Sequence, residues 1–140
     1  MANTLGIIKP DGVRRKLVGR IIARIENAGL ILRGMKVLQL SREDAERFYA
    51  IHEGKPFFKP LVEFITSGPV VVLVIGGHRS IERWRDLMGA TDPARAKYHT
   101  IRREYATSIM QNIVHGSDGP ETAGTEVAFF FQEDEILPKE

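Results

Sequence analysis

The sequence predicts an α+β fold: a four-stranded antiparallel sheet with helices packed on it as a ferredoxin-like sandwich. Three observations predict it. Apolar segments with strand and helix periodicity alternate along the chain. A pair of helices separates the second strand from the third. One strand, Val70 to Ile75, is apolar at every position, as expected where both faces are covered. At 140 residues the chain has the length of one domain, spanning 1–140, enough for a single well-buried core.

Thr4-Leu5-Gly6-Ile7-Ile8 reads as the first strand, ended by the turn cluster Lys9-Pro10-Asp11-Gly12. Leu17, Ile21, Ile22, Ile25 and Ala28 recur at helical spacing, and Gly29 supplies a stop. Ile31 to Leu40 is the second strand. Ser41 is placed to cap a helix whose first turn holds Glu43 and Asp44, which suit the positive end of its dipole. Lys55-Pro56-Phe57-Phe58 breaks that helix, and Leu61, Val62 and Ile65 mark a short one after Pro60. After the Val70–Ile75 strand, Ile81, Trp84, Leu87 and Met88 outline another amphipathic helix, closed by Gly89. Residues 89–100 have no period, and a loop of that length is usually functional or disordered. His115 to Thr125 is a second weak stretch, and Val127-Ala128-Phe129-Phe130-Phe131 is expected to be the last strand.

Composition removes several classes of function. The 20 basic and 18 acidic side chains give a net charge of +2, which is no nucleic-acid footprint, although a pI near 9.0 allows a locally basic cleft. With no cysteine, disulfides, Cys-ligated zinc and a thiol nucleophile are excluded. The N-terminus lacks the basic stretch and apolar core of a secretion signal, and Val70–Ile75 is too short to span a bilayer. A cytoplasmic location is expected by default.

Of the four histidines, His52 at a helix end and His78 in a Gly-rich turn read as solvated, and His99 lies in the long loop. His115 differs: it leaves an apolar segment and is followed by Gly116 and Ser117, so it has backbone freedom beside it. Local chemistry alone leaves it equally a structural histidine. Lys9 emerges at a strand end, Arg85 enters the long loop, Thr91 lies in it and Arg102 follows it. Arginine forks and a threonine hydroxyl match phosphate oxygens; any one of these cations alone would be a solvated surface charge. Neither a G-x-x-x-x-G-K-[ST] cradle nor a G-x-G-x-x-G fingerprint occurs, and no two histidines have metal-ligand spacing. Phosphate handling would therefore rest on cationic side chains and a nucleophile.

Ile7-Ile8-Lys9-Pro10-Asp11-Gly12, Lys55-Pro56-Phe57-Phe58, Ser67-Gly68-Pro69-Val70-Val71, Met88 to Pro93, Thr100-Ile101-Arg102 and Asn112-Ile113-Val114-His115-Gly116-Ser117-Asp118 occur in that order. With these motifs the chain resembles the nucleoside diphosphate kinases over essentially its whole length. The resemblance implies ping-pong transfer of the γ-phosphoryl group, with ATP the usual donor, through a phosphohistidine at His115. It implies Glu126 as the carboxylate that orients the imidazole, supported by Ser117, with Tyr49 beside the histidine. Arg85, Thr91 and Arg102 would grip the phosphates, and Lys9 and Asn112 would bond the ribose hydroxyls, Lys9 also reaching the phosphates. Phe57 would stack on the base, with Ile109 on its other face and Phe58 filling the core. Asp118 would act on Mg²⁺ through water. The family also implies a homo-oligomer, a tetramer or hexamer, with no membrane and no nucleic acid required.

Stacking does not read the edge of a base, so broad use of nucleotides is expected. The chain departs from the family pattern at His99, where Gly is common, at Arg103 and Glu104, where a small residue and Asp are common, and at Gly119-Pro120, where a serine is usual. A non-enzymatic nucleotide- or nucleic-acid-binding domain on the same sheet is the competing possibility. It would expect exposed aromatics on strand faces and a strong basic stripe. A catalytically dead relative is disfavoured by the presence of His115, Lys9, Arg85, Arg102, Asn112 and Glu126 together.

Overall fold

A computed structural model describes residues 2–139. Its sheet has the order β2-β3-β1-β4, from β1 (Asn3–Ile8), β2 (Ile31–Leu38), β3 (Val70–Gly76) and β4 (Val114–Gly116), and every pairing is antiparallel. The helices are α1 (Pro10–Arg14), α2 (Val18–Asn27), α3 (Arg42–Phe48), α4 (Phe58–Ile65), α5 (Ser80–Met88), α6 (Ile101–Tyr105) and α7 (Pro120–Phe130).

The strand pleat sorts the apolar residues into two layers. Ile8, Val71, Leu73 and Ile75 face α2, α5 and α6, where Ile21, Ile25, Trp84, Met88 and Ile101 are buried with them. Leu5, Ile7, Val70, Val72 and Val74 face the other way, onto Ala45, Tyr49, Val62, Ile65, Val127 and Phe131. Strand β3 is buried at all seven positions, the consequence of cover on both faces. Ser41 caps α3 by accepting the Asp44 N–H at 3.0 Å, while Gly29 and Gly89 end α2 and α5 at φ +79° and +87°.

The C-terminal segment corrects the sequence expectation. Val127–Phe131 is no strand: Val127 to Phe130 complete α7, and the last strand is the three-residue β4 that carries His115. Helix α7 starts where Pro120 takes a first-turn position and the Thr122 hydroxyl accepts the Gly119 N–H at 2.9 Å. Ala123, Val127 and Phe131 then fall four residues apart, and all three are buried. That helical stripe prevails over the strand propensity of Val-Ala-Phe-Phe-Phe. Glu126 therefore stands on a helix and does not precede a strand.

Smaller differences have equally local reasons. Helix α4 starts at Phe58, before Pro60, because a proline in the first turn forfeits no internal hydrogen bond. The 89–100 segment contains a single 3₁₀ turn, Pro93–Arg95, started by Asp92 accepting the Ala94 N–H at 3.0 Å.

Candidate active site

In β4, His115 pairs with Ile7 of β1, so its side chain points into the layer of α3 and α7. There its Nε2 lies 3.0 Å from Oε1 of Glu126, and the Ser117 hydroxyl donates to the same oxygen at 2.7 Å. Ser117 is itself fixed, accepting the Leu5 N–H at 3.3 Å. Burial pushes the Glu126 pKa up, but the bonds from His115 and Ser117 and the nearby imidazole overcome this and hold it below the usual carboxylate value. Tyr49 is buried in the same layer, and its phenol is pushed well above the usual value by burial and by the Glu126 charge. Between Tyr49 and the histidine stands Phe48, edge-on to the imidazole with ring centroids 5.6 Å apart.

On the opposite face of β4 the backbone is clamped by packing. The Trp84 indole N–H donates to the His115 carbonyl at 3.3 Å, and Trp84 lies against Gly116. A Cβ at Gly116 would come within 2.8 Å of the indole and 2.5 Å of Met88, so only glycine lets the tryptophan support the strand here. Just before β4, Ile113 has φ +75°, an outlier for a β-branched residue that costs about 1–3 kcal/mol. It is over-determined by α1: the Ile113 N–H donates to Asp11 at 3.1 Å, and its carbonyl accepts the Lys9 N–H at 2.7 Å.

A second group lies at the end of β1. The Lys9 ammonium is buried and donates to Asn112 at 2.8 Å, and the Asn112 amide donates to the Thr91 carbonyl at 3.2 Å. Burial, the Arg102 charge and, in the opposite sense, Asp11 set the Lys9 pKa, lowered to about 8. Arg102, on α6, is anchored to the carbonyls of Gly89, Asn112 and Val114 at 3.0, 3.4 and 2.7 Å. Those bonds use three of its five N–H groups and leave two for a ligand. Burial and the charge of Arg85 lower its pKa to about 10. Arg85 is exposed and pairs with Asp118 at 3.1 Å. An exposed pair of this kind contributes only about 0–1 kcal/mol, so an incoming anion displaces it readily.

The two residues expected to cover the faces of the base are at the surface. Phe57 is 44% exposed and Ile109 60%, whereas the adjacent Phe58 packs against the second core layer. The structure thus brings His115, Glu126 and Ser117 into one hydrogen-bonded group and Lys9, Asn112, Thr91 and Arg102 into another, with Arg85 and Asp118 as an exposed pair. His78 and His99 are exposed, and His52 packs against Tyr49 and Phe57. Phe48, Trp84 and Asp11 were not expected at the site. Trp84 and Asp11 read in sequence as core helix and turn, and no periodicity marks a contact made across layers.

A half-buried imidazole held by a carboxylate, on the strand that follows the Lys9-bonded Asn112, agrees with what similarity establishes. The nucleoside diphosphate kinase family model matches residues 2–136. The chain belongs to the nucleoside diphosphate kinase family. It is similar to the nucleoside diphosphate kinase of Bordetella pertussis, with 59% identity over 130 residues covering 93% of this chain and 92% of that one. With the Burkholderia thailandensis enzyme it shares 55% identity over 133 residues, 95% and 94% of the two chains. Among solved structures, the Aquifex aeolicus nucleoside diphosphate kinase superposes with a TM-score of 0.94 at 37% identity, over 97% of this chain and 99% of that one. The Halobacterium salinarum enzyme, solved in complex with CDP, gives 0.94 at 43% identity, over 99% and 92%. The chain is accordingly a phosphotransferase of nucleoside di- and triphosphates, and nothing supports the non-enzymatic alternative. Among the described residues no helix is long and apolar enough to cross a membrane.

Proposed function

We propose that Nδ1 of His115 takes the γ-phosphoryl group from a nucleoside triphosphate and returns it to a nucleoside diphosphate. The observation that carries this is the 3.0 Å approach of Nε2 to Glu126. A carboxylate only accepts, so a neutral imidazole keeps its proton on Nε2 and presents the Nδ1 lone pair. Attack forms a P–N bond and breaks the bond between the γ-phosphorus and the bridging oxygen, whose electron pair leaves with the diphosphate. The phosphoimidazole is then cationic, and the Glu126 carboxylate stabilises it where charge develops. The second half-reaction reverses these steps onto another diphosphate.

Positioning and charge supply the rest of the acceleration. Arg102, already anchored through three bonds, offers its remaining N–H groups to the phosphates, with Arg85 and the Thr91 hydroxyl beside it. Lys9 and Asn112 reach the ribose hydroxyls, and Lys9 also reaches the transferred group, near the Tyr49 phenol. Phe57 and Ile109 cover the two faces of the base. CDP bound to the Halobacterium salinarum relative supports acceptance of a pyrimidine nucleotide.

Among the described residues no three His, Asp or Glu side chains could together hold a metal. The exposed Asp118 carboxylate beside Arg85 fits Mg²⁺, which keeps its waters and takes phosphate oxygens. Bound there, Mg²⁺ would neutralise phosphate charge. A homo-oligomer, tetramer or hexamer, and a cytoplasmic location complete the proposal, with residues 1–140 acting as one domain. Steady-state rates with ATP and a diphosphate acceptor both varied test the two-step scheme. Parallel double-reciprocal lines are expected, and lines that intersect would exclude a free phosphoenzyme.

A further inference from the structure

We propose that Arg24, on helix α2, is a positioning residue that holds the phosphate-gripping segment 89–105 in its binding conformation. The proposal rests on Arg102 and Thr91 being phosphate ligands. Helix α6, which carries Arg102, has only five residues, too few to be stable alone. Its own N-cap contributes one bond, from the Arg103 N–H to the Thr100 hydroxyl at 3.3 Å.

Ile101 is buried in the core and Arg102 holds three carbonyls, and a further restraint, on the two ends of the helix, comes from a neighbouring element. The Arg24 guanidinium forks across α6: one arm donates to the His99 carbonyl just before the helix, and the other pairs with the Glu104 carboxylate in its last turn. The same group lies 5.9 Å from the centre of the Tyr105 ring. Arg24 stands on α2, which Ile21 and Ile25 root in the core at 0% exposure. Arg15 adds a bond to the Tyr105 carbonyl at 2.6 Å, a cation at the helix C-terminus. Within the loop, Arg103 donates to the Ala94 carbonyl at 3.2 Å and lies 4.9 Å over the Tyr98 ring.

Three of these partners are the places where the sequence departs from the family pattern: His99, Arg103 and Glu104. His99 sits at φ +68°, a conformation that favours glycine. Its carbonyl is held in that conformation by Arg24. The added bulk and charge thus have a use in a loop tied from outside, so that Arg102 meets its ligand already placed. Losing such pre-organisation weakens binding without altering the reacting groups.

The test compares wild type with Arg24→Met, which keeps the stem over Tyr105 but removes the fork, and Arg24→Lys, which reaches one partner but not both. Three quantities are measured: the ADP dissociation constant, hydrogen exchange, and phosphoenzyme formation at saturating ATP. Arg24→Met should bind ADP about 5–20-fold more weakly, with Arg24→Lys intermediate, while the labelling rate falls less than about threefold. Amides in 89–105 should exchange faster and those of β3 should not. ADP affinity within twofold of wild type would overturn the proposal, as would weakened binding accompanied by faster exchange throughout β3. If Arg24→Met does not fold, the exposed Glu104→Gln takes its place, with an expected loss of about 2–5-fold; unchanged binding overturns the proposal. Wild-type protein that takes no transferable label would instead remove the phosphohistidine scheme on which the proposal stands.

Discussion

The Nε2 atom of His115 lies 3.0 Å from Oε1 of Glu126, joining an imidazole on a strand to a carboxylate on the following helix. The same oxygen accepts the Ser117 hydroxyl at 2.7 Å. Orientation of the imidazole is therefore a property of three side chains. Glu126→Ala is predicted to slow phosphoenzyme formation by about 10²-fold, and Glu126→Gln by about tenfold, since an amide oxygen still accepts the imidazole N–H. Nucleotide affinity should change little. Rapid-quench single turnovers measure the first quantity and calorimetry with ADP the second. Full-rate labelling in Glu126→Ala would remove the carboxylate from the mechanism.

Lys9 predicts an alkaline limb. Its pKa, lowered to about 8 chiefly by burial, means the ammonium proposed to meet the nucleotide is present below that pH and is lost as pH rises through it. The pH profile of kcat/KM, which reports the free enzyme, should fall above an apparent pKa near 8. Lys9→Arg should move the limb to higher pH, since a guanidinium stays protonated. A profile unchanged by that substitution would dissociate Lys9 from binding.

The same burial has a stability consequence of opposite sense. The unfolded chain holds the Lys9 proton up to 10.5 and the folded chain only to about 8, so stability from this group rises with pH between those values. At pH 7 the buried charge is a cost, and Lys9→Met should be inactive yet more stable by roughly 2–3 kcal/mol. That margin should shrink as pH rises from 8 to 10. Urea denaturation across this range measures the margin; a constant difference would contradict the assignment.

Phe57 and Ile109 offer exposed faces and no hydrogen-bonding edge. Catalytic efficiencies for ATP, GTP, CTP and UTP should therefore agree within about tenfold, and Phe57→Ala should weaken all four by a similar factor of about 5–50. Strong preference for one base would require a group that reads its edge.

Much of the architecture is legible in sequence because single elements announce themselves. The β-branched run of β3, the Ser41 cap, and the stops at Gly29 and Gly89 each have one local cause. Strand β4 does not: three residues carry no usable period, and its existence depends on pairing with Gly6, Ile7 and Ile8. The triple phenylalanine hides α7 because its helical stripe runs through Ala123 and Val127, upstream of the aromatic cluster. At the site, ordered motifs name the residue types, but the arrangement depends on chain reversals. Glu126 reaches His115 only because α7 folds back over the sheet, and Asp11 meets Ile113 across 102 positions of sequence. Phe48 and Trp84 reach His115 and its carbonyl from opposite faces of the sheet, a relation no spacing encodes.

The most direct test of the central claim is isolation of the phosphoenzyme. Wild-type protein incubated with γ-labelled ATP and Mg²⁺ should carry acid-labile, base-stable label that chases onto added GDP, with the phosphorus on Nδ1 of His115 by NMR. His115→Ala should take none. Label that persists in His115→Ala, or transfer to GDP at full rate with no labelled protein, would contradict it.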